Sequence, residues 1–214
     1  MTVAASKLVE DARTELQDLT GVRWPTADLV KYLNLAQVAV VKLRPDTKST
    51  KVIFTPAQGA RQALPDAALE FMDITCNAIG RQRQIRKVSR AKLDAISPLW
   101  QSMRPATEII NYTFDQREPR VFVLYPPAAT AARIELVFAA YPAAVAAPTG
   151  NTVVGNIDLP DWCESAVLSF MLHKAWSKDG EFAENKTLAD AKLAQFKDEL
   201  ANQLQSATVA VATQ

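Results

Sequence analysis

The only histidine in the chain, His173, is the first candidate for chemistry, because imidazole acts as a general base and a metal ligand near neutral pH. A single histidine excludes metal sites built from several histidines, and a histidine-based nucleophilic relay would depend on this one residue. His173 lies in a helical pattern, four residues after Ser169 and three before Trp176. We interpret it as a partly buried structural imidazole or a surface imidazole. A hydrolase site formed by His173 and nearby acids is the competing hypothesis.

Three carboxylates, Asp158, Asp161 and Glu164, recur every three residues near a helix start. They could bind a hard cation, but they also suit the first turn of a helix, where the dipole favours negative charge. We favour the second interpretation. Glu108 and Asp115 lie near strand ends without an identifiable partner. Because neither G-x-x-x-x-G-K-[ST] nor G-x-G-x-x-G occurs, we predict no catalytic residue, metal or cofactor, and no enzyme activity.

The two cysteines, Cys76 and Cys163, lie in a strand-like run and a helical run respectively. Isolated cysteines of this kind are usually buried as small hydrophobic side chains in a reducing compartment. A disulfide between them is the less favoured alternative. We therefore expect two free thiols in a protein that is made in a cytoplasm.

One basic segment, "RQRQIRKVSRAK" over residues 81–92, contains no acid. Such a segment could contact phosphates, with an affinity that falls steeply as salt rises. It lacks the interleaved aromatic residues of a platform for single strands. The alternatives are a surface that meets an acidic protein partner and a plainly solvated face. The candidate contact residues, for a DNA channel or an acidic partner, are Arg81, Arg83, Arg86, Lys87, Arg90 and Lys92.

The whole chain is nearly neutral, with 24 Lys and Arg against 23 Asp and Glu, a formal charge of +1. No global field therefore draws it to nucleic acid or to an anionic membrane. The start, "MTVAASKLVEDAR", has early acids and no long apolar core, so we expect no signal peptide. No apolar run approaches the roughly 18 residues of a membrane span, and we expect no membrane partner.

Residues 1–48 are predicted to form two helices. The first, over 3–19, carries apolar residues at spacings of three and four as far as Leu19, and Gly21 ends it. The second begins with Thr26 as its N-cap and ends before Pro45.

The second helix has more apolar surface than the single stripe that a surface helix needs. We favour its burial at the centre of a helical bundle, where it would face three neighbours. The alternative is a subunit interface, in which a second apolar set packs against another copy of the chain. That set comprises Tyr32, Leu35, Val38 and Val41.

Residues 49–155 are predicted to form a β-rich insertion. Strand patterns occur in "KVIFTP", "FMDITCNAIG", "INYTF", "PRVFVLYPP" and "ARIELVFAAYP", and the third and fourth of these form a hairpin or adjacent strands. The stretch "AQGARQALP" is predicted to be turn-rich, and a short helix is predicted from Arg90 to Ile96. "AAVAAPTGNTVVGN" is interpreted as a loose connector.

Residues 156–214 are predicted to form a helical hairpin that completes the bundle, followed by an extended tail. One helix begins near Pro160, and the last covers about 182–205. The tail has no cap, charge or helical stripe, so we expect a neighbouring protein to hold it. The overall prediction is an α+β fold: a helical bundle formed by N- and C-terminal helices with a central β-rich insertion. The tail residues expected to bind the portal or a neighbour are Thr208, Val209 and Val211.

Several segments together resemble the head-to-tail adaptors of tailed bacteriophages, akin to the tail tubular protein A class. These segments are "RWPTADLVKYLNLAQVAVVKLRPD", "GARQALP", "PRVFVLYPP", "FAAYP" and "LPDWCESAVLSFMLHKAWSKD". They contain W-x-x-x-x-L-x-x-x-L-N-x-A-Q, R-P-D, R-Q-x-L-P and Y-P-P, none of which is a catalytic signature. The likeness covers roughly residues 10–205.

The resemblance implies a ring, usually of twelve copies, that attaches below the portal and continues the DNA channel. Its partners would be other copies of the chain, the portal protein, and a tail nozzle or other tail proteins, with double-stranded DNA in transit. Its location would be the virion neck, after assembly in the host cytoplasm. The competing hypothesis is a nucleic-acid-binding accessory protein that uses the basic segment 81–92.

Overall fold

The computed structural model describes residues 2–178 and 183–212, with side chains described for 2–178 and 184–202. The chain divides into two compact units, residues 1–47 with 142–214 (unit 1) and residues 48–141 (unit 2). Helices at both ends of the chain flank a β-rich middle, which confirms the predicted α+β fold class. Residues 142–155, predicted to belong to the insertion, fall in unit 1.

Helices dominate unit 1, and one short helix belongs to unit 2. Among the described residues, no helix has both the length and the apolar character that crossing a membrane requires. The helices are α1 (Ala5–Glu15), α2 (Thr26–Leu43), α3 (Arg90–Ile96), α4 (Glu164–Lys178) and α5 (Ala183–Ala212).

Helix α4 has the most extensive packing in unit 1, because it contacts α1, α2 and α5. Its buried residues include Val167, Met171 and Ala175. Helix α2 is buried along eight of its residues, as expected, but α4 rather than α2 contacts the most helices. Helix α2 packs against α1 and α4, and part of its remaining surface is covered by a segment without regular secondary structure.

That covering segment, residues 142–160 (the connector), contains the stretch 143–156 that the sequence predicts to be a loose connector, but it is not loose. The side-chain amide of Asn34 donates to the carbonyl of Val145 (3.0 Å), and its side-chain carbonyl accepts from the backbone N–H of Val145 (2.8 Å). Gln37, which is buried, accepts from the backbone N–H of Asp158 (2.7 Å). Further along, the backbone of Gly155 accepts from the first turn of α1. The connector is therefore attached to both N-terminal helices.

The turn between α1 and α2 corrects two sequence predictions. Helix α1 ends at Glu15, so Leu19 is not part of its apolar face and is exposed. The carboxylate of Asp18 accepts three backbone N–H groups, from residues 22, 23 and 24, which stabilises a tight turn in place of another helical turn. Thr26 is the first residue of α2, not its cap. Its hydroxyl donates to Asn151.

Unit 2 contains two sheets. One is antiparallel with strand order β1-β7-β3, and the other has order β2-β6-β5-β4, in which β4 runs parallel to β5. The predicted turn-rich stretch contains β2, and the predicted hairpin is the antiparallel pair β5–β6. The strands are β1 (Ser49–Phe54), β2 (Gly59–Ala63), β3 (Ala68–Asn77), β4 (Arg86–Lys87), β5 (Asn111–Phe114), β6 (Val121–Ala128) and β7 (Ile134–Ala140).

Alternating side chains of these strands form the main core of unit 2. On β7, Ile134, Leu136 and Phe138 are buried, as the period-two pattern predicts. Phe71 stacks on Phe122 with ring centroids 5.3 Å apart. A smaller cluster forms where α3 and the following turn pack, and its buried members are Ala60, Leu93 and Trp100.

The C-terminal segment differs from its prediction in backbone conformation. Helix α5 continues to Ala212, so residues 206–212 are helical rather than extended. The side chains of Thr208, Val209 and Val211 lie outside the described residues, and their proposed binding role stays a prediction. The turn predicted at "SKDGE" includes residues 179–182, which also lie outside the described range.

Gly21 is the position where substitution tests the α1–α2 turn. Its φ is +69°, and a Cβ there would lie 2.7 Å from a guanidinium nitrogen of Arg13. Arg13 donates to the carbonyl of Leu19 and to the hydroxyl of Thr26, so moving it disrupts both bonds. Gly21→Ala should lower the free energy of unfolding by about 2–3 kcal/mol, measured by urea denaturation. Gly150→Ala is the control, because its φ of +62° is similar but its surroundings are open, and it should cost about 1 kcal/mol. Equal losses would contradict the role of Arg13.

Candidate functional site

His173 forms a contact between helices. Its Nδ1 lies 2.8 Å from the carbonyl oxygen of Ala189 on α5, and its ring packs 5.7 Å from that of Phe170. The side chain is half-buried. Among the described residues, the one hydroxyl recorded against His173, that of Ser177, donates to its backbone carbonyl (2.6 Å) and not to the ring. This geometry fits the structural interpretation rather than a hydrolase site.

The three carboxylates considered for a cation take separate partners. Asp158 accepts from the backbone N–H of Ala143 (2.7 Å), and Asp161 accepts from that of Trp162 (3.0 Å). Glu164 forms an ion pair with a lysine of α1. Within the described part of the chain, no group of three His, Cys, Asp or Glu side chains is placed to hold a metal ion.

Both cysteines are free thiols. Cys163 is fully buried, and burial raises the pKa of its thiol to about 12. At neutral pH it is therefore protonated and a poor nucleophile. Glu108 and Asp115, for which the sequence offered no partner, pair with Arg83 and Arg117 respectively.

The basic segment 81–92 is exposed at each of its six cations, and five of them, all except Lys92, line three hollows of unit 2. Lys87 and Arg90 line a cavity of about 850 Å³. Arg81 and Arg83 line another of about 950 Å³, and Arg83 and Arg86 a third of about 380 Å³. Arg86 and Lys87 are neighbours on β4, where successive side chains point to opposite faces. The six charges therefore do not form one continuous strip.

Some of these cations are already engaged. Arg83 pairs with Glu108 (3.2 Å) and Arg90 with Asp94 (3.6 Å). In the part of the chain that the structure describes, no ion pair is recorded for Arg81, Arg86 or Lys92. These three are the residues of the segment best placed to meet an external anion.

Asn77 positions the loop that carries Arg81 and Arg83. It is buried, and its side-chain amide donates to the carbonyls of Arg83 (3.0 Å) and Ile109 (2.8 Å). Its side-chain carbonyl accepts from the backbone N–H of Ile109 (2.8 Å). A lone Asn at a strand end gave no sequence signal for this role.

The four residues predicted as a subunit interface differ in exposure. Val41 is fully buried, so it belongs to the core of the single chain and is not an available contact. Tyr32 and Val38 are half-buried, and Leu35 is 44% exposed. The interface itself stays a prediction, which now depends on Leu35 with the exposed parts of Tyr32 and Val38.

A comparison with protein-family models matches residues 2–214 to the model described as SU10 adaptor protein. The chain belongs to the SU10 adaptor protein family. This membership is consistent with a phage adaptor, which is the broader form of the resemblance seen in the sequence. A search of curated proteins finds no match.

In this SU10 adaptor family member, the residues that carry the resemblance maintain the fold. Trp24 is buried, and its indole N–H donates to the carbonyl of Ala175 on α4 (3.1 Å). Asn34 and Gln37 bind the connector. Gln62 of R-Q-x-L-P is buried and bonds both backbone groups of Ala57 at 2.8 Å. These motifs therefore describe how the protein folds rather than where a reaction occurs.

The R-P-D motif joins α2 to α5. The guanidinium of buried Arg44 makes two hydrogen bonds to the carboxylate of Asp46, at 2.9 and 2.8 Å. It also donates to the carbonyl of Leu200 (2.9 Å) and lies 5.2 Å from the ring centroid of Trp162. A buried guanidinium requires such partners, because an unpaired buried charge is strongly destabilising.

Sequence reasoning missed one surface of the SU10 adaptor. Ile96, Leu99 and Met103, in α3 and the segment after it, are exposed. The sequence predicts the helix and its end at Pro98, but periodicity alone does not indicate that the apolar residues beyond Ile96 face water. The structure shows that Trp100 is the buried residue of this stretch, whereas these three are exposed.

The Arg44–Asp46 pair predicts that the stability of this family member depends on pH. Hydrogen bonding to Arg44 lowers the pKa of Asp46 below its usual value. The ionised form therefore stabilises the fold above the unfolded-state pKa of about 3.9, and this contribution is lost as pH falls through the folded-state pKa. The difference in unfolding free energy between the wild type and Asp46→Asn should be constant from about pH 7 to 5 and shrink below about pH 4.

Urea denaturation at each pH measures this difference. Asp198→Asn, an exposed position on α5, is the control and should show a difference near zero throughout. A wild-type advantage over Asp46→Asn that persists unchanged at about pH 2 would contradict the assignment.

Proposed function

We propose that the protein is a structural head-to-tail adaptor of a tailed phage, akin to the tail tubular protein A class. Twelve copies form a ring in the virion neck that connects the portal to the tail and continues the DNA channel. The observation that carries the proposal is the family match, which extends over residues 2–214. The proposal assigns no reaction to the chain.

The contacts of the polar residues support a structural role. Four polar residues form hydrogen bonds with the chain's own backbone or side chains: His173, Arg44, Asn34 and Gln37. A subunit of a rigid channel needs such intrachain hydrogen bonds, because it must keep one conformation while it contacts a neighbouring subunit on each side.

Ring closure sets conditions that the chain can meet. A cyclic assembly uses two different patches on each subunit, and the rotation between them must close. A net charge of +1 does not oppose the crowding of many copies. One proposed patch includes Leu35 with Tyr32 and Val38, and the C-terminal residues Thr208, Val209 and Val211 are proposed to reach the portal or a neighbour.

The adaptor proposal predicts that the purified chain co-sediments with purified portal rings. Leu35→Asp should reduce the number of copies bound per portal, because a charge in a lateral contact is costly to bury. Leu43→Asp is the matched control, since both leucines lie on α2 with exposures of 44% and 52%. Absence of co-sedimentation by the wild-type chain would contradict the adaptor proposal. Equal loss in both variants would remove Leu35 from the interface and leave the adaptor role intact.

A nucleic-acid-binding accessory protein is the second candidate function, favoured by the exposure of all six cations of segment 81–92. It predicts retention of the chain on duplex DNA, with an affinity that falls steeply as salt rises. Replacing Arg86 and Lys92 with alanine should then weaken binding and flatten the salt dependence. Replacing Lys31 and Lys42, exposed lysines on α2, is the control. No retention at roughly 50 mM salt removes this candidate.

A further inference from the structure

Three exposed apolar side chains lie close together in sequence at and beyond the end of α3. Ile96 is 66% exposed, Leu99 75% and Met103 43%. Scattered exposed apolar residues are ordinary on a protein surface. Three such residues within the short stretch 96–103 instead indicate a candidate interaction site.

The structure holds these residues outward. Leu93 and Trp100, both buried, anchor α3 and the following turn onto unit 2. The indole N–H of Trp100 donates to the carboxylate of Asp94 (2.8 Å), which ties the turn to the helix. In this turn Trp100 is buried, while Leu99 is exposed. A surface ordered before it binds loses less entropy on association.

Positively charged residues flank these three apolar residues in sequence. Arg90, Lys92 and Arg104 are exposed, and the one acid nearby in sequence, Asp94, is engaged by Trp100 and Arg90. In the described part of the chain, no ion pair is recorded for Lys92 or Arg104. We name Ile96, Leu99 and Met103, with Arg90, Lys92 and Arg104, the apolar-cationic surface.

Charge complementarity identifies the occupant. Segment 81–104 contains seven Arg or Lys and one acid, so it carries +6; since the whole chain carries +1, the other 190 residues carry −5. Exposed carboxylates in those residues include Glu10, Asp66, Asp190 and Asp198. A second copy of the chain therefore offers the opposite charge to this surface, while duplex DNA would leave its apolar centre without a matching partner.

We propose that the apolar-cationic surface is a contact between copies of this chain, in which it packs against the acidic remainder of the next copy. Such a contact joins two different patches, so it is heterologous and can propagate into a ring. The inference rests on the proposed adaptor function and deepens it by naming a lateral contact. Its apolar centre supplies affinity, and its cationic rim directs the orientation and speeds association.

Sedimentation velocity of the full-length chain, over roughly 1–100 μM, measures the self-association constant. Leu99→Ser should weaken self-association by at least about tenfold. Leu19→Ser is the matched control, because Leu19 is 72% exposed and Leu99 75%, and the change alters no charge. Unfolding midpoints of both variants should equal that of the wild type, since neither side chain is buried.

The charged rim is tested by Lys92→Glu, with Lys42→Glu on α2 as the control. Lys92→Glu should weaken self-association and reduce its salt dependence between roughly 0.05 and 0.5 M NaCl, and Lys42→Glu should not. Equal behaviour of the paired variants overturns the inference, as does a chain that is monomeric throughout. Loss of duplex DNA binding in Lys92→Glu with unchanged self-association also overturns it, in favour of nucleic acid.

Co-sedimentation of the same variants with portal rings separates this inference from the adaptor proposal. A monomeric wild-type chain that binds portal rings overturns the apolar-cationic contact and leaves the adaptor function standing. Self-association that requires Leu99, without any portal binding, supports the contact and counts against the adaptor function.

Discussion

The side-chain amides of Asn34 and Gln37 are the interaction on which unit 1 depends. Each amide can donate and accept, so the pair satisfies backbone groups of the connector at Val145 and Asp158 that strand pairing would otherwise satisfy. Buried backbone polar groups must find partners, and an irregular segment against an apolar helix finds few. These two residues therefore allow a stretch without helix or strand to cover α2. The connector thus accounts for part of the extra apolar surface of α2 within the single chain, but Leu35 stays exposed.

Other buried polar groups extend the same arrangement through the helices. The indole of Trp24 donates a hydrogen bond to a backbone carbonyl of α4, and the guanidinium of Arg44 donates one to a backbone carbonyl of α5. The carboxylate of Asp46 neutralises the charge of Arg44. The Trp24 and Arg44 contacts to α4 and α5 join residues 151 and 156 positions apart in sequence, so the two ends of the chain must fold together to form unit 1. The motifs that carry the resemblance to phage adaptors are thus built from fold-maintaining residues. Under the proposed adaptor function, binding falls to exposed surfaces, which carry no compact sequence signature.

Local patterns predicted much of the fold. Alternation identified β7, and Pro98 predicted the end of α3; in the structure the side chain of Ser89 caps the start of this helix. Errors arose where a tertiary contact overrode a local preference: Asp18 ends the helical pattern before Leu19, and Gln62 stabilises a strand in a stretch rich in turn formers. The composition of residues 81–92 identified the basic segment. It did not show that Arg86 and Lys87, as neighbours on a strand, point to opposite faces. The apolar-cationic surface could not be predicted, because the sequence does not show which apolar residue of this stretch is buried. In the structure that residue is Trp100.

A symmetry-resolved image of the assembled particle at the capsid vertex tests the central claim, that this chain is built into a larger ring as a structural part. The account predicts density for several copies of the chain, arranged around the channel axis between the portal and the tail, with α5 and unit 2 recognisable in each copy. A complete neck at that vertex without density for this chain would contradict the account.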